Sequence, residues 1–246
     1  MGDGYPGEGR EFLNSYALVP ARGGSVRIPG KNMRDFLGKP ALRRVLETLA
    51  ESQLFREIIV STDSPATIEA VASWGFRAPF LRPAELSTNQ ASTAQVASHA
   101  ITWLIEKGAS ENDSFLLAYP TAVLMNTEHL IQSEKLFRSS AADLVFSACP
   151  FPSNIERAWK KSSDNFVVPA NDAAQPMRSQ DFEPHYYDAG QFYWSNESAW
   201  RNIVRGQRPV YRAIYELDPM EAVDINTEED WRRAERYFQL FSSHQI

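Results

Sequence analysis

Apolar residues along this chain follow two rhythms. Short, nearly continuous runs occur at YALV (16–19), EIIVSTD (57–63), SFLLAYP (114–120), DLVFSACP (143–150), QFYWS (191–195) and RPVYRAIYEL (208–217). Runs of that length, rich in β-branched and aromatic residues, predict strands, most of them buried on both faces. Between them stand stretches whose apolar positions are three and four apart. In PALRRVLETLAES (40–52), Leu42, Val45, Leu46 and Leu49 fit i, i+3, i+4 and i+7, with Pro40 suited to the first turn. PATIEAVASWG (65–75) predicts a second helix, stopped at Gly75.

A third helix carries Val96, Ala97, Ala100, Ile101, Leu104 and Ile105 on one side, with Ser92 or Thr93 at its start. NTEHLIQSEKLFRSS (126–140) predicts a fourth, capped by Asn126 or Thr127. A last helix follows DINTEEDW (224–231), with Thr227 and Asp230 spaced as a capping box and Trp231, Ala234, Tyr237, Phe238 and Phe241 as its apolar face. Strands alternating with helices predict an α/β fold around a parallel sheet with right-handed crossovers. Residues 79–93 lack periodicity and read as a loop rich in hydroxyls and amides. Residues 151–190 lose the rhythm again and read as an irregular or hairpin-like excursion, either a lid or a dimer arm. The first fifteen residues, rich in Gly and charge, read as a flexible tail on a single domain over 16–246.

Composition narrows the partners. A net charge of −6 over 246 residues argues against nucleic acid, so any polyanion must meet a local basic patch. No apolar run reaches the ~18 residues of a membrane span, and the N-terminus lacks the apolar core of a signal peptide. The expectation is a cytoplasmic protein that does not contact membranes. Cys149, the one cysteine, lies in an apolar run and reads as a buried, inert thiol. His99, His129, His185 and His244 show no metal-ligand spacing, and His99 reads as structural.

Ligands of open α/β sheets bind beyond the carboxyl ends of the strands. ARGGSVRIPGKN (21–32) falls there, with Gly23, Gly24 and Gly30 among Arg22, Arg27 and Lys31. Glycines let backbone N–H groups approach phosphate oxygens, and the cations match a polyphosphate. The loop fits neither G-x-x-x-x-G-K-[ST] nor G-x-G-x-x-G. From composition alone it is equally an ordinary strand-to-helix loop with solvated cations. Residues 61–63, 82–93 and 119–121 fall at the same end. Asp224 is either a hard ligand for Mg²⁺ beside phosphates or simply an acidic residue opening the last helix.

In order, ARGGSVRIPGKN, EIIVSTD, FLRPAELS, YPTA and DINTEEDW resemble the signature segments of the CMP-sialic acid synthetase type of nucleotidyltransferase, over most of 16–240. Within that family, YYDAGQFYW (186–194) is most similar to the members acting on pseudaminic acid. Sialic acid enzymes tend to carry Asn-Gly where this chain has Ala189-Gly190. The resemblance implies a Rossmann-like three-layer fold, Mg²⁺, and CTP as donor to the anomeric hydroxyl of a nine-carbon α-keto sugar acid, with pyrophosphate released. Sialic or legionaminic acid is the alternative acceptor, and a degenerate nucleotide-binding regulator the alternative class. A sugar-nucleotide glycosyltransferase would want D-x-D where this chain has YPTA.

By the same resemblance, Arg22, Lys31 and Asp224 would carry catalysis. Ala21, Arg22, Gly23, Gly24, Ser25, Arg27, Lys31, Asn32, Arg82, Ser92 and Thr93 would bind the nucleotide. Tyr119, Arg178, Gln191 and Tyr193 would line the sugar subsite, and Asp224 and Asn226 would hold the metal. A homodimer through 151–190 is also implied. Two departures stand out: Val26 replaces a cation of the usual GGSKRIP loop, and Asp224-Ile225-Asn226 replaces the usual DID. The second removes a negative charge and implies weaker metal affinity.

Overall fold

The computed structural model describes residues 14–24, 27–207 and 210–243; the first thirteen residues, Ser25 and Val26 lie outside that description. Strand β1 (Ser15–Pro20) is buried at every position but Pro20. Its side chains alternate between two cores. Ala17 and Val19 join one, Tyr16 and Leu18 the other. A strand covered on both faces needs a continuous apolar run, which YALV supplies.

The chain then turns through the basic loop into a small antiparallel ladder of β2 (Asp35–Phe36) and β3 (Lys39–Pro40), and into α1 (Ala41–Glu51). β4 (Glu57–Ser61) completes the first crossover beside β1, and α2 (Pro65–Ser73) follows it. Helix α3 (Thr93–Glu106) leads to β5 (Ser114–Ala118), and α4 (Thr127–Ser139) to β6 (Leu144–Pro150). After a two-stranded ladder, β7 (Trp159–Lys161) with β8 (Val167–Pro169), come β9 (Tyr186–Ser195), α5 (Glu197–Val204), β10 (Arg212–Glu216) and α6 (Glu228–Ser243).

The main sheet has the order β10-β6-β9-β5-β1-β4. β4 and β5 flank β1 in parallel and β10 runs parallel to β6, while β9 is antiparallel between β5 and β6. On one face, Leu42, Val45, Leu46 and Leu49 of α1 and Leu130 and Phe137 of α4 pack on the sheet. On the other, Ala97, Ala100, Ile101 and Leu104 of α3 meet Trp200 of α5. This is a Rossmann-like three-layer α/β fold with a mostly parallel sheet.

The capping expectations hold in detail. Ser92 caps α3 within a full capping box, and Asn126 caps α4. Such caps contribute roughly 1 kcal/mol each, enough to fix where a helix starts. Two elements depart from the sequence reading. α5 went unread because its eight residues bury only Glu197, Ala199 and Trp200, too few to show a period. β9 begins at Tyr186, so the last five residues of the supposed excursion belong to the sheet. Gly190 at φ +63 and a register shift between Phe146 and Ala148 break the alternation that would have revealed it.

Candidate active site

A third apolar cluster builds the site. Ile28 from the basic loop, Val223 and Ile225 from the segment before α6, and Trp231 and Ala234 of α6 are buried together with Phe36. Residues 223–226 alternate, Val223 and Ile225 being buried and Asp224 and Asn226 not. In extended chain this period of two sends Asp224 and Asn226 to one side. One apolar anchor therefore fixes both the cationic loop and the acidic segment opposite it. Between them, at the carboxyl ends of β1 and β5, lies a cavity of about 670 Å³.

The loop is held by backbone accounting. Ala21 N–H donates to Ser61 O (2.9 Å) and Gly23 N–H to Asp63 Oδ1 (2.8 Å). Asn32 Nδ2 donates to Arg22 O (2.9 Å), and Leu42 N–H donates to Asn32 O (2.9 Å). A Cβ on Gly23 would stand 3.0 Å from Ser64 Cβ, so the loop lies tightly against the β4–α2 turn and a side chain there would push on it. Gly30, at φ +62, turns the chain back. Arg22, Gly24, Arg27, Lys31 and Asn32 then line the cavity. Lys31 Nζ crosses to donate to Ile225 O at 2.7 Å. Burial pushes the Lys31 ammonium below its usual pKa, while Asp224 opposes the shift. A desolvated cation of this kind gains most from an arriving phosphate.

Opposite, Asp224 Oδ2 accepts from Asn226 Nδ2 at 2.5 Å. The start of α6 is capped elsewhere. Thr227 Oγ1 accepts from Asp230 N–H (3.1 Å), and Asp230 Oδ2 accepts from Thr227 N–H (2.9 Å) and Asn226 N–H (3.1 Å). Asp224 is thus left lining the cavity rather than closing the helix. Its carboxylate and the carbonyl of Asn226 are hard oxygen donors, a set that fits Mg²⁺ with substrate oxygens and water completing the shell. No group of three or more His, Cys, Asp or Glu side chains among the described residues is placed to hold a metal by itself.

Tyr119 and Thr121 also line the cavity. Tyr119 OH shares a 3.2 Å hydrogen bond with Thr93 Oγ1 and meets the Tyr193 ring edge-on at 5.7 Å. Tyr193 OH donates to Asp188 Oδ2 at 2.6 Å. Burial, then Tyr119 and Asp188, push its phenol far above the usual value, so it remains a donor at any working pH.

Other expected site residues stand apart from the cavity lining. Ala21 is buried, and Gly23 faces the α2 side of the loop. Arg82 is buried with Nε on Ser61 Oγ (2.9 Å) and its guanidinium also on Ser61 O, bracing the end of β4. Ser92 spends its hydroxyl on the α3 cap. Gln191 is buried and donates through Nε2 to Glu221 O at 2.5 Å, tying β9 to the segment that precedes Asp224. Arg178, its side chain 73% exposed, pairs with Asp181 instead; an exposed pair is worth about 0–1 kcal/mol and does little to fix it. Ser25 falls outside the described residues. Conversely, Thr88, Asn89, Ala91, Pro120 and Thr121 line the cavity without having been singled out. Their only sequence signal was the polar, aperiodic character of the loops at the carboxyl strand ends.

The cytidylyltransferase family profile matches residues 16–235. The chain is similar to the pseudaminic acid cytidylyltransferase of Campylobacter jejuni subsp. jejuni serotype O:2, 32% identical over 228 residues that cover 93% of this chain and 97% of that protein. It is also similar to the CMP-N,N'-diacetyllegionaminic acid synthase of Legionella pneumophila subsp. pneumophila, 27% identical and covering 91% of this chain and 96% of that protein. Among solved structures, the fold is similar to that of CMP:2-keto-3-deoxy-manno-octonic acid synthetase complexed with CTP, with a TM-score of 0.67 at 14% identity, covering 92% of this chain and 99% of that one. A 4-diphosphocytidyl-2C-methyl-D-erythritol synthase gives a TM-score of 0.64 at 15% identity, covering 92% and 98%. These two likenesses bear on the fold alone.

Proposed function

Since the chain belongs to the cytidylyltransferase family and is a CTP-dependent nucleotidyltransferase, we propose that it transfers CMP from CTP to the anomeric hydroxyl of a nonulosonic acid, pseudaminic acid. The observation that carries this reading is one cavity in which Arg22, Arg27 and Lys31 face Asp224 and Asn226 across the sheet end. The acceptor hydroxyl loses its proton to water and its oxygen bonds to the α-phosphorus of CTP, while the bond from that phosphorus to the bridging oxygen breaks and pyrophosphate leaves with the electron pair. Such a transfer needs positioning and countercharge more than covalent help. Arg22 and Lys31 neutralise charge as it builds on the phosphates, with Arg27 beside them. Gly24, which lines the cavity, lets the loop backbone approach the phosphate oxygens. Asp224 and Asn226 would hold Mg²⁺, which when bound would supply further neutralising charge. Tyr119, within reach of Tyr193 and Thr93, orients the acceptor.

The choice of acceptor is supported by the relatives and by the Ala189-Gly190 pair. Incubation with CTP, Mg²⁺ and a panel of pseudaminic, legionaminic and sialic acids tests it. Pseudaminic acid is expected to give the highest kcat/KM; a preference for another member overturns the choice. Asn226 favours one competing reading, a nucleotide-binding regulator with weakened chemistry, and a null result across the panel would support that reading.

The protein works in the cytoplasm, where CTP is available; no helix among the described residues is long and apolar enough to cross a membrane. It also pairs with a second copy through the β7–β8 ladder, where Trp159, Phe166, Val167 and Val168 are all exposed. Contiguous exposed apolar groups of this kind mark partner surfaces. A monomer at micromolar concentration in light scattering would overturn the dimer.

A further inference from the structure

We propose that Gly190 is a positioning residue for Asp224. The inference rests on the reading that Asp224 holds the cation. At φ +63, Gly190 occupies a conformation that side-chain-bearing residues rarely adopt. A Cβ built there would stand 3.2 Å from Asp224 Cβ, 3.3 Å from Cγ and 3.5 Å from Oδ1. The backbone of β9 itself is therefore the wall against which the carboxylate rests. Both constraints, the left-handed backbone and the close approach to Asp224, favour glycine.

The wall is rigid on both sides. Asp188 Oδ1 accepts from Gly190 N–H at 2.8 Å while its Oδ2 accepts from Tyr193 OH at 2.6 Å, so one side chain fixes the turn from below. Beyond the glycine, Gln191 O accepts from Tyr119 N–H (2.8 Å), and Gln191 Nε2 donates to Glu221 O (2.5 Å). Asp224 is thus held between a fixed strand and the Asn226 amide. A methyl at 190 displaces the carboxylate by a few tenths of an ångström or twists the turn. Either change weakens a cation site that has only one carboxylate.

The test is Mn²⁺ titration followed by electron paramagnetic resonance, on the full chain with CTP and no acceptor, so that no turnover is involved. Gly190→Ala is expected to weaken Mn²⁺ binding about tenfold, and Asp188→Ala about threefold in the same direction, with cooperative melting retained. If Gly190 acts through Asp224, the loss should vanish in an Asp224→Asn background, because the two effects are then not additive. Wild-type affinity in Gly190→Ala, or a loss that persists undiminished beside Asp224→Asn, overturns the inference while leaving the cation site standing. Wild-type affinity in Asp224→Asn itself overturns the cation reading and this inference with it. Should Gly190→Ala fail to fold, Asp188→Ala decides by the same criteria.

Discussion

The loop at 21–32 and the ladder at 159–169 are both irregular excursions from one sheet, yet they are built in opposite ways. The loop puts cations into a cavity and buries its apolar member, Ile28, beneath them. The ladder puts apolar side chains outside, Phe166 being 75% exposed, with Lys160 and Lys161 among them and little core beneath. A polar group on an apolar foundation is held still, which electrostatic catalysis requires. A contiguous apolar group left in solvent marks a surface that another molecule can cover. The difference separates a cationic cavity on a buried apolar base from an apolar surface left exposed.

The comparison breaks most visibly at Lys31. Lys31→Met is expected to lower kcat/KM for CTP by about 10²–10³-fold, the scale of losing one preorganised charge-stabilising group, measured by pyrophosphate release. A loss under threefold would make the loop an ordinary solvated turn. The same residue sharpens the picture through pH. Its folded pKa lies below the free-lysine value, so charge, and with it kcat/KM, should fall as pH rises through a value under the usual ~10.4. Lys31→Arg should remove that alkaline limb.

On the other surface, Trp159→Ser with Phe166→Ser should weaken dimerisation at least tenfold, about 1.4 kcal/mol or more, in sedimentation equilibrium. The thermal midpoint of the separated chain should barely move, since exposed substitutions usually stay within about 0.5 kcal/mol. Asn226→Asp should then tighten Mg²⁺ by several-fold, read by calorimetry with CTP present, because a hard cation gains from each added ligand charge. The smallest effect is expected at Arg178→Ala, within about twofold in every kinetic constant, since its guanidinium lies with Asp181 and away from the cavity.

Much of this was legible in the chain. Continuous apolar runs and three-four spacing marked the sheet and five of its helices, because a doubly covered sheet leaves no choice of residue there. Glycines among cations marked the loop, and the family resemblance put Asp224 and Asn226 together as metal-binding residues. What escaped was set by tertiary context. A polar residue within a motif reads the same whether it touches a ligand or braces the frame, and in this structure Arg82 and Gln191 hydrogen-bond to the frame. Thr88, Asn89 and Thr121 carry no period because loops are shaped by what anchors their ends. β9 was hidden from 186 to 190 by the glycine turn that stands against Asp224.

The most direct test of the central claim is pyrophosphate release by the purified full chain given CTP, Mg²⁺ and pseudaminic acid. The cavity account predicts release that requires all three components, yields a CMP-sugar, and collapses in Arg22→Ala and Lys31→Met. Release that persists undiminished in both variants, or no release with any nonulosonic acid, would contradict it.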